Sequence, residues 1–273
     1  MLGKTIGIIS IKGGVGKTST VSALGASLAN DFAKKVLLVD ANFSAPNLGF
    51  QLGIYNPEVT LHHVLDGKAH INDAIHQSGH GFDVIPGAMV YNFKENQIDP
   101  FKLSEKLRDL RRKYDVILID SSPNMNKEIL ATMIASDELF MVTTPDYVTL
   151  ALTLRAMKLA KDRKTPINGL ILNKVYNKNF EIGLKEIEEM SGVNVLAVLP
   201  HEIEVPEAHA KSIPSTLHKN SESSIEYKKL AAVLIGKEYS EGKFKQFLRK
   251  FKLKHPKQEV NRAIFRKSRI NNY

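Results

Sequence analysis

Apolar residues fall in short unbroken runs, separated by stretches where they recur every three or four positions. The runs predict strands at Thr5–Ser10, Lys35–Asp40, Phe82–Pro86, Asp115–Asp120, Glu138–Thr143, Ile167–Asn173 and Asn194–Leu199. Several, such as IGII, VLLV and VILI, are apolar on successive residues, as in strands covered on both faces. The helical period runs through Lys17–Asn30, Lys102–Lys113, Asn126–Ala135, Tyr147–Lys161, Phe180–Met190 and Ser223–Ile235. Strands alternating with helices predict an α/β fold with a doubly wound, mostly parallel sheet. Right-handed crossovers then place ligands at the carboxyl edge of the strands. No internal repeat or low-complexity tract interrupts the pattern.

Composition shifts near Gly236–Gly242, which predicts a globular domain over 1–239 and a basic helical extension over 240–273. The net charge of +9 sharpens that boundary. Residues 240–273 hold eleven Lys/Arg against Glu241 and Glu259, whereas residues 1–239 carry equal numbers of basic and acidic groups. Basicity confined to a tail points to an anionic partner, membrane or nucleic acid. The chain has no Cys, so disulfides and thiolate metal sites are excluded and nothing suggests an oxidising compartment. The start, MLGKTIGIIS, runs straight into a strand without a signal-peptide core, and no apolar run approaches a membrane span. A cytoplasmic chain is expected, resting peripherally on the inner face of the cell membrane if the tail finds lipid.

The sharpest chemistry is GIIS-IKGGVGKTST, a glycine-rich loop that follows a strand and opens a helix. Glycines let backbone N–H groups approach phosphate oxygens, and the helix start favours the anion. Gly13, Gly14, Val15, Gly16, Lys17, Thr18 and Ser19 form this cradle. Lys17 would reach the β- and γ-phosphates and Thr18 would ligate Mg²⁺. The bland alternative is a glycine turn that merely starts a helix.

A second lysine, Lys12, opens the loop in KGGVGKT. This pattern resembles the deviant Walker A family that includes MinD, ParA/Soj, the nitrogenase iron protein and the Get3-like targeting factors. The resemblance implies ATP and Mg²⁺ as ligands, ATP hydrolysis, and a homodimer formed in the ATP state. It also implies that Lys12 crosses to the partner's nucleotide and neutralises developing charge there; a solvated surface lysine is the alternative. VDANFSAPNLG resembles the family's first switch, with Asp40 holding a Mg²⁺-bound water or, alternatively, capping a loop. The family usually carries a second Asp where this chain has Asn42, and an amide orients water but cannot take its proton. Hydrolysis is therefore expected to be slow or partner-dependent. VILIDSSPN resembles Walker B and the second switch, placing Asp120 near the metal.

Thr143-Thr144-Pro145-Asp146 fits the segment that follows the next strand. Asn173 matches the residue that reads adenine in MinD-like proteins, though a plain turn residue is the alternative, and Pro200 and Ile203 fall in the loop that lies against the base. The resemblance covers about residues 4–236 and is closest to MinD-like members. Missing cysteine pairs argue against the nitrogenase-like and tail-anchor-targeting branches. The nine histidines show no metal-ligand spacing.

In the tail, Phe244, Phe247, Leu248 and Phe251 are spaced i, i+3, i+4, i+7, with Lys245, Arg249, Lys250 and other cations around them. A cationic amphipathic helix suits an anionic membrane. Packing of the Phe stripe onto the globular domain is one alternative. Nonspecific nucleic-acid binding, with Phe265 and Tyr273 stacking on bases, is the other. Three functions remain open: a membrane-attached positioning switch for cell division, a DNA-partitioning ATPase, and a weakly hydrolysing nucleotide-gated scaffold. The activating protein partner is not legible.

Overall fold

The computed structural model describes residues 2–91, 98–239, 260 and 262–270. Eight strands form one sheet in the order β3-β4-β2-β5-β1-β6-β7-β8. They are β1 (Lys4–Ile9), β2 (Val36–Ala41), β3 (His76–Gln77), β4 (Asp83–Ile85), β5 (Val116–Ser121), β6 (Glu138–Thr143), β7 (Ile167–Val175) and β8 (Val195–Pro200). All neighbours are parallel except the two-residue β3, which pairs antiparallel with β4 at the edge.

The unbroken apolar runs have a direct physical cause. In β2, Val36 and Leu38 enter the core on one face while Leu37 and Val39 enter the core on the other. In β6 the same split sends Phe140 and Val142 one way and Leu139 and Met141 the other. Side chains alternate along a strand, so helices on both faces demand an apolar residue at every position. One face is covered chiefly by α1 (Lys17–Asn30) and α10 (Glu222–Leu234). The other carries α3 (Leu61–Leu65), α4 (Leu103–Leu107), α5 (Lys127–Ala135), α6 (Tyr147–Asp162) and α7 (Leu184–Ser191).

Helix boundaries follow local chemistry. Asn126, Asp146 and Ser221 each cap a helix with side-chain oxygens, at α5, α6 and α10. The expected helix at Lys102–Lys113 is instead α4 flanked by 3-10 turns at Pro100–Lys102 and Asp109–Arg112. The expected helix from Phe180 starts only at Leu184, because Gly183 is extended (φ −67, ψ 151). Four short helices were not expected: α2 (Leu48–Gln51), α3, α8 (Glu204–Ala210) and α9 (Ser215–His218).

The chain end holds the largest departure. Helix α11 (Ala263–Ile270) packs against the globular body. Arg269 is buried and paired with buried Glu138 at the start of β6. Arg262 donates to Glu226 of α10 at 2.5 Å and to the Leu196 carbonyl at 2.6 Å. Phe265 meets Phe140 edge-on with centroids 5.8 Å apart, so it is occupied inside the fold and does not offer its ring to bases. Phe244, Lys245, Phe247, Leu248, Arg249, Lys250 and Phe251 lie outside the described residues, as does Tyr273.

Candidate functional site: a phosphate loop at the carboxyl edge

β1 ends at Ile9 and the chain turns through residues 10–16 into α1. The turn opens at a switch point, where β1 lies between β5 and β6 while β2 lies beyond β5. Gly16 caps α1 with φ +98, a left-handed conformation natural to glycine. A Cβ there would also stand 2.1 Å from the Asn173 amide nitrogen. Around Gly13 and Gly14 an added Cβ would meet nothing within 4 Å, so the loop backbone faces open space. α1 has neither a side-chain cap nor an acid in its first turn, so its leading N–H groups remain available to an anion.

The space they face is a cavity of about 520 Å³. Gly13, Gly14, Gly16, Lys17, Thr18 and Ser19 form its floor. Val15 does not line it: its side chain is buried in the core, and its carbonyl accepts a 2.7 Å bond from Asn173 Nδ2. That bond ties the end of β7 to the phosphate loop. Asn173 and Pro200 line it as well. Ile203 does not: it is 67% exposed, and Val205, Pro206 and His209 of α8 take the position expected of it. Their signal was the i, i+4 pair Val205/His209, legible only once 204–210 is known to be helical.

Lys17 is buried, and burial pulls its ammonium below the usual lysine range while nearby Asp120 opposes the shift. Thr18 Oγ1 lies 2.6 Å from Asp120 Oδ2 and 3.0 Å from Asn47 Oδ1. Asp40 is fully buried behind the cavity wall and does not line it. It accepts the backbone amides of Asn42 at 3.2 Å and of Asn47 and Leu48, both at 2.9 Å. One carboxylate thus folds the whole 42–48 loop back onto the end of β2. Asn42 reaches the cavity, its Nδ2 donating to the Ala45 carbonyl at 2.6 Å. Lys12 turns away from its own chain's cavity: Nζ donates to Thr149 Oγ1 at 2.8 Å and sits 3.9 Å from Asp146.

Three buried oxygens at this site have no partner: Asp120 Oδ1, Asn42 Oδ1 and Gln51 Oε1. Orphaned acceptors are costly unless water or a cation's hydration shell meets them. Beside the Thr18 hydroxyl they form an all-oxygen donor set, which suits a hard cation such as Mg²⁺. Among the described residues no three His, Cys, Asp or Glu side chains converge as metal ligands. Mg²⁺ here would therefore be held by Thr18, phosphate oxygens and waters, with Asp120 behind them.

Burial, and then the Asp120 carboxylate, push Asp40 up to about 8, against the pull of its three amides. Burial lifts Asp120 to about 6, opposed by the Thr18 hydroxyl and Lys17. A folded pKa above the unfolded value of 3.8 gives stability that is complete in acid and lost as pH rises toward 8. The nucleotide-free, metal-free protein should therefore have a lower urea midpoint at about pH 8 than at about pH 5. Asp40→Asn should flatten that slope; an unchanged slope would mean that Asp40 is ionised in the fold.

Comparison with known proteins agrees with this geometry. A family model described as an AAA domain matches residues 3–169. An uncharacterized ATP-binding protein of Methanocaldococcus jannaschii is 34% identical over 90% of this chain and 94% of its own length. The chromosome-partitioning ATPase Soj of Treponema pallidum is 27% identical over 87% of this chain and 99% of its own. The septum site-determining protein MinD of Pyrococcus horikoshii, solved in complex with Mg-ADP, superposes with a TM-score of 0.80 at 31% identity, covering 85% of this chain and 96% of that one.

Proposed function

Since the chain belongs to the MinD/ParA/Soj-type P-loop ATPases, we propose that it is an ATP-operated dimerising switch that attaches to an anionic membrane surface, serving cell division or spatial positioning. The observation that carries the nucleotide part is the open, uncapped start of α1 beneath Lys17 and Thr18. The attachment part is supported by the charge asymmetry, with seven Lys/Arg in residues 243–257 around the Phe244/Phe247/Leu248/Phe251 stripe.

This chain's own residues divide the work. The amides of residues 13–19 bind phosphate oxygens, and Lys17 adds a buried cation at the terminal phosphates. Thr18 and Asp120 orient the metal's ligand shell, and a bound Mg²⁺ supplies charge that neutralises the β- and γ-phosphates. Asn173, Pro200 and α8 exclude water from the base side. Asp40 holds the loop that presents Asn42. Asn42 orients the attacking water without accepting its proton. Lys12, parked on Thr149 within one chain, is free to engage a partner's nucleotide only after leaving that bond.

Size measurement with ATP and with ADP, each with and without anionic vesicles, tests the switch. Dimers are expected with ATP alone, and vesicle binding is expected to be markedly tighter with ATP than with ADP. Deleting residues 243–254 should abolish the ATP-dependent gain in vesicle binding and leave the dimer, because two weak tails on one dimer combine through effective concentration. Removing all of 240–273 is a poorer test, since it also strips α11 from the body. An Asn42→Asp change should raise ATP turnover, by about 10²-fold if proton acceptance limits the rate; an unchanged rate sinks that account of slow hydrolysis.

The Soj relative favours a second reading, ATP-dependent binding of nonspecific DNA by the same tail. It predicts steeply salt-sensitive DNA binding and no response to vesicles.

A further inference from the structure

We propose that the protein carries a second anion site, at the pole of the sheet opposite the phosphate loop, built for a ligand bearing two or more phosphate charges. A cavity of about 500 Å³ opens at the amino ends of β1, β2 and β5, where Lys4, Val36 and Val116 lie side by side. Lys4, Lys34, Lys35, Arg111, Arg112 and Lys113 line it, with Asp115 as the one lining acid. Residues 1–239 hold equal numbers of basic and acidic groups, so this convergence is a local departure from a neutral body.

The acid is already engaged. Asp115 Oδ2 accepts the Lys35 amide at 2.8 Å, and the Asp115 amide donates to the Lys35 carbonyl at 2.8 Å. Arg111 is held by the Gly3 carbonyl at 3.0 Å and Asp137 at 2.9 Å, and Lys113 by neutral Asn72 at 2.8 Å. Among the described residues Lys34, Lys35 and Arg112 make no ion pair. The main chain beneath them is knit: Gly3 and Lys4 donate to Arg111 and Asp115, and Lys34 donates to Leu28. The cations are thus clustered on a rigid frame, where like charges repel unless an anion fills the gap.

Shape selects the ligand class. The volume is that of a small-molecule site rather than a groove for a duplex. Apolar groups also reach it, through Leu2, which is 60% exposed, and the edges of Val116 and Ile235. An organic diphosphate or a phosphorylated lipid headgroup meets both features, because each pairs concentrated charge with carbon. Ile235 caps α10, so the pole lies close in sequence to the cationic segment that begins at residue 240. This site is independent of the nucleotide reading.

The test uses the full chain saturated with Mg-ADP, which occupies the phosphate loop, and the triple variant Lys34→Ser/Lys35→Ser/Arg112→Ser. Inorganic pyrophosphate is titrated calorimetrically into both. The variant should keep its ADP affinity, which certifies the fold, while its pyrophosphate Kd rises at least about tenfold, equivalent to about 1.4 kcal/mol. Two further arms identify the source of the phosphate. Retention on phosphatidylcholine vesicles containing phosphatidic acid, lost in the variant and displaced by pyrophosphate, identifies a headgroup. Pyrophosphate binding without such retention identifies a free phosphate ligand. Equal pyrophosphate affinity in wild type and variant overturns the proposal, as does a variant defect confined to duplex DNA.

Discussion

Lys17→Ala is expected to weaken Mg-ATP binding on the order of 10²- to 10³-fold, because truncating a buried, hydrogen-bonded charge costs about 2–5 kcal/mol. Lys17 is buried beside Asp120 in the first turn of α1, directly beneath the loop amides, whereas Lys174, the other lysine lining the cavity, belongs to β7. The amides of the loop survive the substitution, so binding should fall without vanishing. Isothermal titration with ATP and ADP measures the loss, and dimers should disappear at ATP concentrations that saturate the wild type. A Kd within about threefold of wild type, less than 0.7 kcal/mol, would remove Lys17 from the phosphate site.

Arg269→Ala should lower folding stability by about 3–5 kcal/mol, since breaking a buried ion pair leaves its partner uncompensated. Both side chains are almost wholly buried, 3% and 5% exposed. Glu138 would keep only the Asn168 amide, at 2.5 Å, and the charge of nearby Lys4. The expected drop in melting temperature is about 10 °C for a domain of this size. The paired change Glu138→Leu/Arg269→Met should recover most of the loss, because burying two apolar groups of similar volume carries no desolvation penalty. A drop below about 1 kcal/mol would mean that α11 docks only marginally.

Much of the fold was legible because its strands are buried on both faces. β1, β2, β5 and β6 announce themselves as runs of successive apolar residues, and in β2 and β5 no position is polar until the carboxyl end, where Asp40 and Asp120 appear. The Lys102–Lys113 stretch kept its helical period, with Leu103, Leu107 and Leu110 all buried. Its backbone nonetheless tightens into 3-10 geometry at both ends, which side-chain spacing does not register. The two-residue β3 is too short to carry any period.

The site divides in the same way. Its glycine and lysine floor has a local pattern, since one loop must supply every amide. The rest of its lining comes from α2 and, more than a hundred residues later, from β7, β8 and α8, so Gln51 gave no local sign and the Val205/His209 pair had none apart from its helix. Asp40 was legible as an acid at a strand end, but its grip on the Asn42, Asn47 and Leu48 amides depends on how the loop folds back. The charge count drew one line at residue 240, because it cannot distinguish a solvated arginine from one paired inside a core, as Arg262 and Arg269 are.

A parallel sheet has a direction, and here it separates two jobs. Six-residue strands measure about 20 Å from end to end. If the Lys35/Arg112 pole rests on a charged lamella, the strands stand upright like posts and the triphosphate doorway looks away from the lipid. Partners arriving from solution would then meet the nucleotide side unobstructed, while two molecules pairing doorway to doorway would each have to tip away from the lamella.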